Sequence, residues 1–320
     1  MGRCLIGNFN LMNKVAFIAD FFVTQVRGGA EICDDILITQ LRNKGINVAT
    51  VNCSDLSEGQ LAAFLESNFT FLISNFTRLP QRITDFLQVI GNYCIIEHDH
   101  KYLSNRNPAT YVNFLAPPDK IVNRDFYKSA KYVFCQSIKH AEVLSANLNI
   151  DNVVNLGCSL WSDDQLDLLK KHCNNKKNHG HYIMGDPNPI KGLREAKHLC
   201  VSKELDFDIV KKAPYDEFVE TLSYYDKFVF LPRTLESFSR VILEARMLNC
   251  GLVTNNLNGC TYEAWFKDLK GAELIDFVRS KRTEVVDLIA EKLFETNQSE
   301  TKQGDITVIL NCYRRPYNLQ

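Results

Sequence analysis

The 320-residue chain has no excess of charge of either sign, because 37 Lys and Arg balance 38 Asp and Glu to a formal net charge of −1. Without a broad basic field there is little to neutralise nucleic-acid phosphates, so we expect no general nucleic-acid binding. The apolar fraction of 45% and the charged fraction of 23% are those of a globular protein. The length suffices for two domains of ordinary size.

The sequence also lacks an apolar run of the ~18–20 residues that a bilayer-spanning helix needs, so we expect no transmembrane segment. It begins without the charged-then-apolar pattern of a secretory signal. Its 11 cysteines include no Cys-x-x-Cys pair or other metal-ligand spacing. We therefore expect free thiols in a reducing, cytoplasmic compartment.

Short apolar runs alternate with helical patterns along the chain, which indicates parallel sheets wound on both faces. The polar, turn-rich segment 174–180 divides this pattern. We predict a Rossmann-like domain over 14–173 and a second over 174–300, with an extension at 1–13 and a tail at 301–320. The predicted strands are 15–19, 48–51, 71–74, 93–97, 132–135, 181–184, 207–210, 227–231 and 252–255. The predicted helices are 30–43, 80–91, 138–147, 191–200, 215–224 and 237–248.

Two acids follow the strand predicted at 227–231. Glu236 lies in a polar loop, and Ser237 can cap a helix that contains Glu244 about two turns further on. In open α/β sheets ligands bind at the carboxyl tips of strands, where a helix N-terminus offers N–H groups to phosphate. Carboxylates accept hydrogen bonds from ribose or sugar hydroxyls. The pair favours a phosphate-containing, polyhydroxylated ligand, although two solvated surface acids would have the same spacing.

Gly28 and Gly29 follow the first predicted strand and open a helix. Paired glycines in this place let the backbone approach a ligand closely, and a plain strand-to-helix turn is the alternative. A Gly-x-Gly-x-x-Gly pattern is missing after Ala19, which argues against a dinucleotide-dependent oxidoreductase.

Polar residues also follow two other predicted strands. His98, Asp99 and His100 come after the strand at 93–97, where an exposed polar loop is the alternative. Adjacent residues of an extended chain point to opposite sides, so at most two of these could share an ion, and we predict no metal site. Lys191 opens a helix after a Pro-rich loop, where an ordinary exposed lysine is the alternative.

Together these segments resemble retaining glycosyltransferases of the GT-B fold, in particular family 4. Glu236 and Glu244 fall at the two positions of the family's Glu-x7-Glu motif, and the string Gly-Gly-Ala-Glu at 28–31 resembles its N-terminal loop. The resemblance covers about residues 14 to 290. It implies the GT-B architecture, two Rossmann-like parallel-sheet domains that face each other across a cleft.

The resemblance extends to a histidine at the end of a strand, which faces the donor sugar in the family. His98 matches this histidine, and His100 is the alternate candidate for the same position. Lys191 matches the lysine that holds the donor diphosphate. The family has an arginine where this chain has Asp186, which reverses the charge at a phosphate site. Arg194, one helical turn after Lys191, or Arg233 could replace that arginine.

The resemblance implies transfer of a sugar from a nucleotide-diphosphate donor to a hydroxyl of a glycan, lipid or small molecule, with retention and without a metal or other cofactor. Lys191, with Arg194 or Arg233, would neutralise the leaving phosphates, and backbone N–H groups at Ser237 and Phe238 would assist. Gly28 and Gly29 would admit the phosphates from the other domain. Glu244 would bind ribose, and Glu236 and His98 would bind the donor sugar.

Two other functions stay open at this point. Asp186 favours a non-catalytic nucleotide-sugar-binding or scaffold module beside a catalytic domain. A nucleotide-sugar epimerase of the same fold would convert a donor without an acceptor.

The last residues, 305–319, resemble the opening of a family 2 glycosyltransferase of GT-A fold, with Tyr313 and Arg315 in its Tyr-x-Arg-Pro turn. We expect that the natural polypeptide continues into a fused second glycosyltransferase domain. A tail that packs back on the first domain is the alternative.

Overall fold

The computed structural model describes residues 13–211 and 213–295. Within them the chain forms two α/β lobes, each built on a sheet of parallel strands. The tail predicted at 301–320, and all but the last residue of the extension predicted at 1–13, lie outside the described residues.

The first lobe has a six-stranded sheet in the order β2-β1-β3-β4-β5-β6, with every neighbouring pair parallel. Its strands are β1 (Lys14–Ala19), β2 (Asn47–Asn52), β3 (Thr70–Ile73), β4 (Tyr93–Glu97), β5 (Tyr132–Cys135) and β6 (Val153–Asn155). Its helices are α1 (Gly29–Asn43), α2 (Glu58–Glu66), α3 (Gln81–Ile90), α4 (Arg124–Ser129) and α5 (Ile138–Leu148).

Strand β1 shows why this sheet is covered on both faces. Val15 and Phe17 pack in the same apolar cluster as Leu37 of α1. Ile18 points the other way, into a cluster with Leu87 of α3. Successive side chains of a strand alternate between faces, so a strand that is apolar at every position needs helices on both sides.

The second lobe has a four-stranded parallel sheet in the order β10-β9-β7-β8. Its strands are β7 (His179–Ile183), β8 (Phe207–Ile209), β9 (Tyr225–Phe230) and β10 (Gly251–Thr254). The helices of this half are α6 (Asp163–His172), α7 (Leu193–Ser202), α8 (Tyr215–Ser223), α9 (Arg240–Met247) and α10 (Gly271–Phe294).

Helix α10 connects the two lobes. It packs on α6 and α9 and also on α1 of the first lobe. At its end, Lys131 Nζ donates a hydrogen bond to the carbonyl of Glu295 at 3.0 Å, beside β5. Helix α6 lies before residue 174, yet it packs on α8, α9 and α10. Its apolar residues therefore belong to the core of the second lobe.

The strands predicted from the sequence are all present, with small shifts at their ends. The helix predicted to begin at Ser237 begins instead at Arg240, which is a correction. Ser239 precedes it with a left-handed backbone (φ 70°) and makes no capping bond through its side chain. The helix does not extend back to Ser237, because backbone hydrogen bonds join Glu236 and Phe238 to residues 257–260.

The helices and the cysteines of the described part can be compared with the expectations from composition. No helix in it is both long enough and apolar enough to cross a membrane. The cysteines in it are free, as predicted, and all of them are buried. Burial raises the pKa of such thiols, to about 12 for Cys94.

Candidate active site

A cavity of about 640 Å³ lies between the two lobes, at the carboxyl ends of strands from both sheets. Gly29 borders it after β1, and His98 borders it directly after β4. From the second lobe, Lys191 follows β7 and Glu236 follows β9. The fold therefore collects in one cleft residues that are far apart in the sequence, as expected for parallel sheets.

Lys191 and Glu236 form an ion pair at the centre of this cleft. Lys191 Nζ lies 2.8 Å from Glu236 Oε1 and 3.0 Å from Oε2. The pair keeps some contact with solvent, since the side chains are 29% and 15% exposed. A phosphate entering the cleft can compete for the ammonium group without creating a buried, unpaired charge.

Gly192 explains how Lys191 is brought there. Its backbone is left-handed (φ 71°), and a Cβ at this position would lie 1.6 Å from the carbonyl oxygen of Leu231. Only glycine allows the turn before α7 to approach the end of β9 so closely. That approach places the lysine beside the loop that carries Glu236.

The loop of residues 232–239, called the motif loop below, is hydrogen-bonded to residues 257–260 of its own lobe. The N–H of Glu236 donates to the carbonyl of Leu257 at 2.8 Å, and the N–H of Gly259 donates to the carbonyl of Glu236 at 3.0 Å. Ser237 borders the cavity, but the Phe238 side chain is buried against the rings of Trp161 and Trp265. Phe238 itself does not border the cavity.

Glu244 borders the cavity from the second turn of α9, although it is only 4% exposed. Its Oε1 accepts hydrogen bonds from Trp161 Nε1 at 2.8 Å and from the Tyr215 hydroxyl at 3.1 Å. Burial, and then the Glu244 carboxylate, raise the pKa of Tyr215 well above its ordinary value, so the phenol keeps its proton and donates. The carboxylate is thus held rigidly at the wall of the cavity.

His98 is oriented by a buried carboxylate of α1. Its Nε2 lies 2.9 Å from Asp34 Oδ1, and Ser74 Oγ donates to Asp34 Oδ2 at 2.5 Å. A carboxylate accepts hydrogen bonds, so Nε2 carries the proton in this contact. That arrangement leaves Nδ1 of His98 for a ligand.

A buried ionic cluster fixes the turn that carries His98. Lys101 Nζ lies 2.9 Å from Glu97 Oε1 and 3.0 Å from Asp99 Oδ1. Burial by itself would raise the pKa of Glu97, but Lys101 and the Tyr127 hydroxyl hold it at about 2. Burial would likewise lower the pKa of Lys101, but Asp99 and Glu97 raise it to about 12. Both groups therefore stay charged, and their mutual contacts constrain residues 98–100.

His100, the alternate for the sugar-facing position, makes a contact of its own with the other lobe. Its Nε2 lies 2.8 Å from the carbonyl oxygen of Leu235, and its Nδ1 lies 3.0 Å from the Tyr102 hydroxyl. Its side chain is engaged by protein on both ring nitrogens, whereas His98 is engaged on one.

The two arginines predicted to assist Lys191 lie outside the cavity. Arg194 is exposed on α7, and Arg233 is exposed and pairs with Glu195 at 3.6 Å. Asp186 does border the cavity, and its carboxylate accepts from the N–H of Asn188 at 2.8 Å. The side chains of Arg194 and Arg233 are therefore poorly placed for a ligand in this cleft.

Sequence reasoning missed two cations that do border the cavity, Arg106 and Arg240. Arg240 is the first residue of α9, and its guanidinium stacks on the Trp161 ring at 4.4 Å and lies 3.7 Å from Glu244. Its place in the sequence, between Glu236 and Glu244, could have identified Arg240 as a candidate for the site. Arg106 lies in an irregular loop and pairs with Asp99 at 3.2 Å, and nothing periodic in the sequence marks it.

The two predicted glycines differ in position. Gly29 borders the cavity, and a Cβ there would meet no atom within 4 Å. Gly28 precedes α1, and a Cβ there would lie 2.4 Å from Glu31 Oε2. Close approach of a ligand to the backbone is therefore open at Gly29. Across the described ranges, no cluster of three or more His, Cys, Asp or Glu residues could hold a metal ion.

The fold is shared with several solved structures at low sequence identity. Sucrose-phosphate synthase from Thermosynechococcus elongatus is 11% identical, with a TM-score of 0.57 over 88% of this chain and 96% of that one. An α,α-trehalose 6-phosphate synthase from Burkholderia multivorans is 8% identical, with a TM-score of 0.51 over 88% and 93%. The catalytic domain of starch synthase IV from Arabidopsis thaliana, bound to ADP and acarbose, is 10% identical, with a TM-score of 0.50 over 89% and 96%.

These likenesses and the two parallel sheets confirm the prediction of a GT-B fold. No protein-family model and no curated protein sequence matches the chain. The resemblance to family 4 therefore rests on the motifs alone and stays a prediction.

We predict that Lys101→Met lowers the free energy of unfolding by about 3–5 kcal/mol, because it leaves the Glu97 carboxylate buried without its partner. Urea titration at pH 7 measures the change. Lys170→Met breaks an exposed pair with Asp276 and serves as the control, with an expected change within about 0.5 kcal/mol. Equal effects of the two variants would contradict this account.

The stabilisation from Glu97 should also depend on pH. Since the pKa of Glu97 is lowered from 4.5 to about 2, its contribution to the free energy of unfolding is present above pH 4.5 and is lost as the pH falls towards 2.

Proposed function

We propose that the protein transfers a sugar from a nucleotide-diphosphate donor to an acceptor hydroxyl, with retention and without a bound metal. The observation that carries the proposal is the Lys191–Glu236 ion pair, which shares one interlobe cavity with His98 and Glu244. A cation for phosphate and carboxylates for hydroxyls, held at the facing carboxyl edges of two parallel sheets, suit a nucleotide sugar.

Each of these residues has a role in the proposed donor complex. The diphosphate displaces Glu236 from Lys191, which frees the Glu236 carboxylate to accept hydrogen bonds from the donor sugar. The ribose hydroxyls donate to Glu244, whose Oε1 is already oriented by Trp161. His98 contacts the donor sugar through Nδ1, and the phosphates approach the backbone at Gly29.

The positive charge for the leaving group comes from the protein in this proposal. Besides Lys191, Arg106 from the first lobe and Arg240 from the second border the cavity. These cations supply the charge that Asp186 does not, and they act in place of a metal ion.

The bond between the anomeric carbon and the leaving phosphate oxygen breaks while the bond to the acceptor oxygen forms on the same face of the sugar. The acceptor proton passes to the leaving phosphate, so that no protein nucleophile is needed. The support for this step is the resemblance of the acid pair to the Glu-x7-Glu motif.

We predict that the anomeric configuration of the product equals that of the donor. Proton NMR of the first product formed, before spontaneous mutarotation, measures it through the coupling of the anomeric proton. An inverted product would contradict the proposed same-face reaction while leaving the transferase function intact.

A second cavity, of about 670 Å³, supports a polar acceptor. It lies in the first lobe and meets the donor cleft at Arg106, which borders both. One wall is a single face of α3, with Gln81, Thr84, Asp85 and Gln88 at helical spacing. Amide, hydroxyl and carboxylate groups of this kind bind sugar hydroxyls and disfavour a lipid chain. Among the acceptor classes, the groove favours a glycan.

We predict that Gln88→Ala raises the KM for a glycan acceptor roughly tenfold, the value of one lost hydrogen bond, and leaves the KM for the donor unchanged. Gln88 borders the groove and makes no side-chain hydrogen bond within the described ranges, so its amide is available to a ligand. Steady-state kinetics with each substrate varied in turn measure the effect. Val89→Ala, at an 88% exposed neighbour on α3, is the control and should change neither constant.

A non-catalytic nucleotide-sugar-binding module is the second candidate. The observation in its favour is Asp186, an acid at the cavity wall where the resembled family has an arginine. Such a module would bind a nucleotide but would neither transfer nor hydrolyse the donor sugar. Turnover therefore separates it from the enzyme.

We predict that one of UDP, ADP and GDP, with EDTA present, raises the melting temperature by several degrees at saturation, because a ligand that binds only the folded state stabilises it. Lys191→Met should abolish the shift, since it removes the phosphate-binding cation. Arg194→Met, three residues further along the chain and outside the cavity, is the matched control and should keep it. Absence of a shift for every nucleotide would contradict the donor site, and equal loss in both variants would contradict the role of Lys191.

A further inference from the structure

Three side chains of the first lobe donate hydrogen bonds to one short segment of the second. His100 Nε2 donates to the carbonyl of Leu235 at 2.8 Å, and Ser137 Oγ donates to the carbonyl of Ser237 at 2.6 Å. Asn107 Nδ2 donates to the carbonyl of Arg233 at 3.0 Å. We call His100, Asn107 and Ser137 the interlobe donors. All three contacts reach the motif loop, which carries Glu236.

The accepting carbonyls follow a strand-like pattern. Carbonyls of residues 233, 235 and 237 point to the first lobe, whereas those of Glu236 and Phe238 accept N–H groups of Gly259 and Cys260 in their own lobe. The motif loop therefore lies between its own lobe on one edge and the interlobe donors on the other.

Each interlobe donor is fixed by a second contact inside the first lobe. His100 Nδ1 pairs with the Tyr102 hydroxyl at 3.0 Å, and Asn107 Oδ1 accepts from the N–H of Ala109 at 3.0 Å. Ser137 caps α5 by accepting from the N–H of His140 at 3.2 Å. The donors thus present fixed geometry to the motif loop and lose little side-chain freedom when the contact forms.

Gly259 shows how tightly the lobes meet at this point. A Cβ there would lie 2.4 Å from Ser137 Oγ and 2.3 Å from the carbonyl oxygen of Ser237. Any larger side chain would separate the motif loop from the first lobe. Glycine at 259 therefore permits the interlobe contact itself.

We propose that His100, Asn107 and Ser137 are positioning residues, which hold the motif loop so that the Glu236 carboxylate faces the cleft when the lobes are closed. Opening the lobes breaks these contacts, so the geometry of the Lys191–Glu236 pair depends on lobe closure. The inference rests on the proposed function only in naming a nucleotide as the ligand of that pair.

Hydrogen–deuterium exchange on the ligand-free protein tests the contact without any substrate. The variants are Asn107→Asp, which keeps the shape of the side chain but removes its N–H donor, and Ser137→Ala. In each, exchange of the amides of residues 234–238 should accelerate roughly five- to tenfold, the effect of one lost hydrogen bond. Ser137→Thr retains the hydroxyl and should restore slow exchange. Ser145→Ala, on the same helix and without a side-chain hydrogen bond in the described ranges, is the control.

The affinity for UDP, ADP and GDP, measured by titration calorimetry, then tests the consequence. The nucleotide that binds the native protein should bind Asn107→Asp and Ser137→Ala several-fold more weakly, with Ser137→Thr close to native. Unchanged exchange at 234–238, or exchange accelerated equally throughout the second lobe, would overturn the inference. Accelerated local exchange with unaltered nucleotide affinity would overturn it too. Failure of every nucleotide to bind the native protein would instead count against the proposed function.

Discussion

Parallel strands end on the same edge of their sheet, and the cleft exists because two such edges face each other. His98 directly follows β4, and Glu236 lies a few residues beyond β9, so each is placed by a buried strand that cannot shift without exposing its apolar residues. The Lys191–Glu236 pair is built within the second lobe, whereas the contact between His100 and Leu235 forms only because the two edges meet.

The ion pairs of the two lobes differ in their exposure to solvent. In the first lobe, Glu97 and Lys101 are almost fully buried and satisfy each other, which makes the turn after β4 rigid. In the second, Lys191 and Glu236 remain partly exposed and can exchange partners with a ligand. A fixed frame with one exchangeable ion pair is a suitable arrangement for a site that must bind and then release a charged leaving group.

The positions of the strand ends were accessible to sequence reasoning, because a short apolar run followed by polar or glycine residues marks a buried parallel strand. Long-range partners were not accessible. Trp161 and Tyr215 reach Glu244 from other elements, and Asn107 lies in an irregular loop. The start of α9 was wrong, because Ser237 looks like a capping residue, although the residues on either side of it are hydrogen-bonded to residues 257–260. Helix α10 had regular apolar spacing that the prediction did not use.

By itself the sequence determined the alternation of strands and helices, the two parallel sheets and the acids and lysine at their tips, since these depend on local apolar patterns and turn residues. Only the tertiary structure decided which cations border the cleft, Arg106 and Arg240 instead of Arg194 and Arg233. It also decided that the motif loop is held from both lobes. Such contacts join residues a hundred or more positions apart, and no local pattern encodes the packing that brings them together.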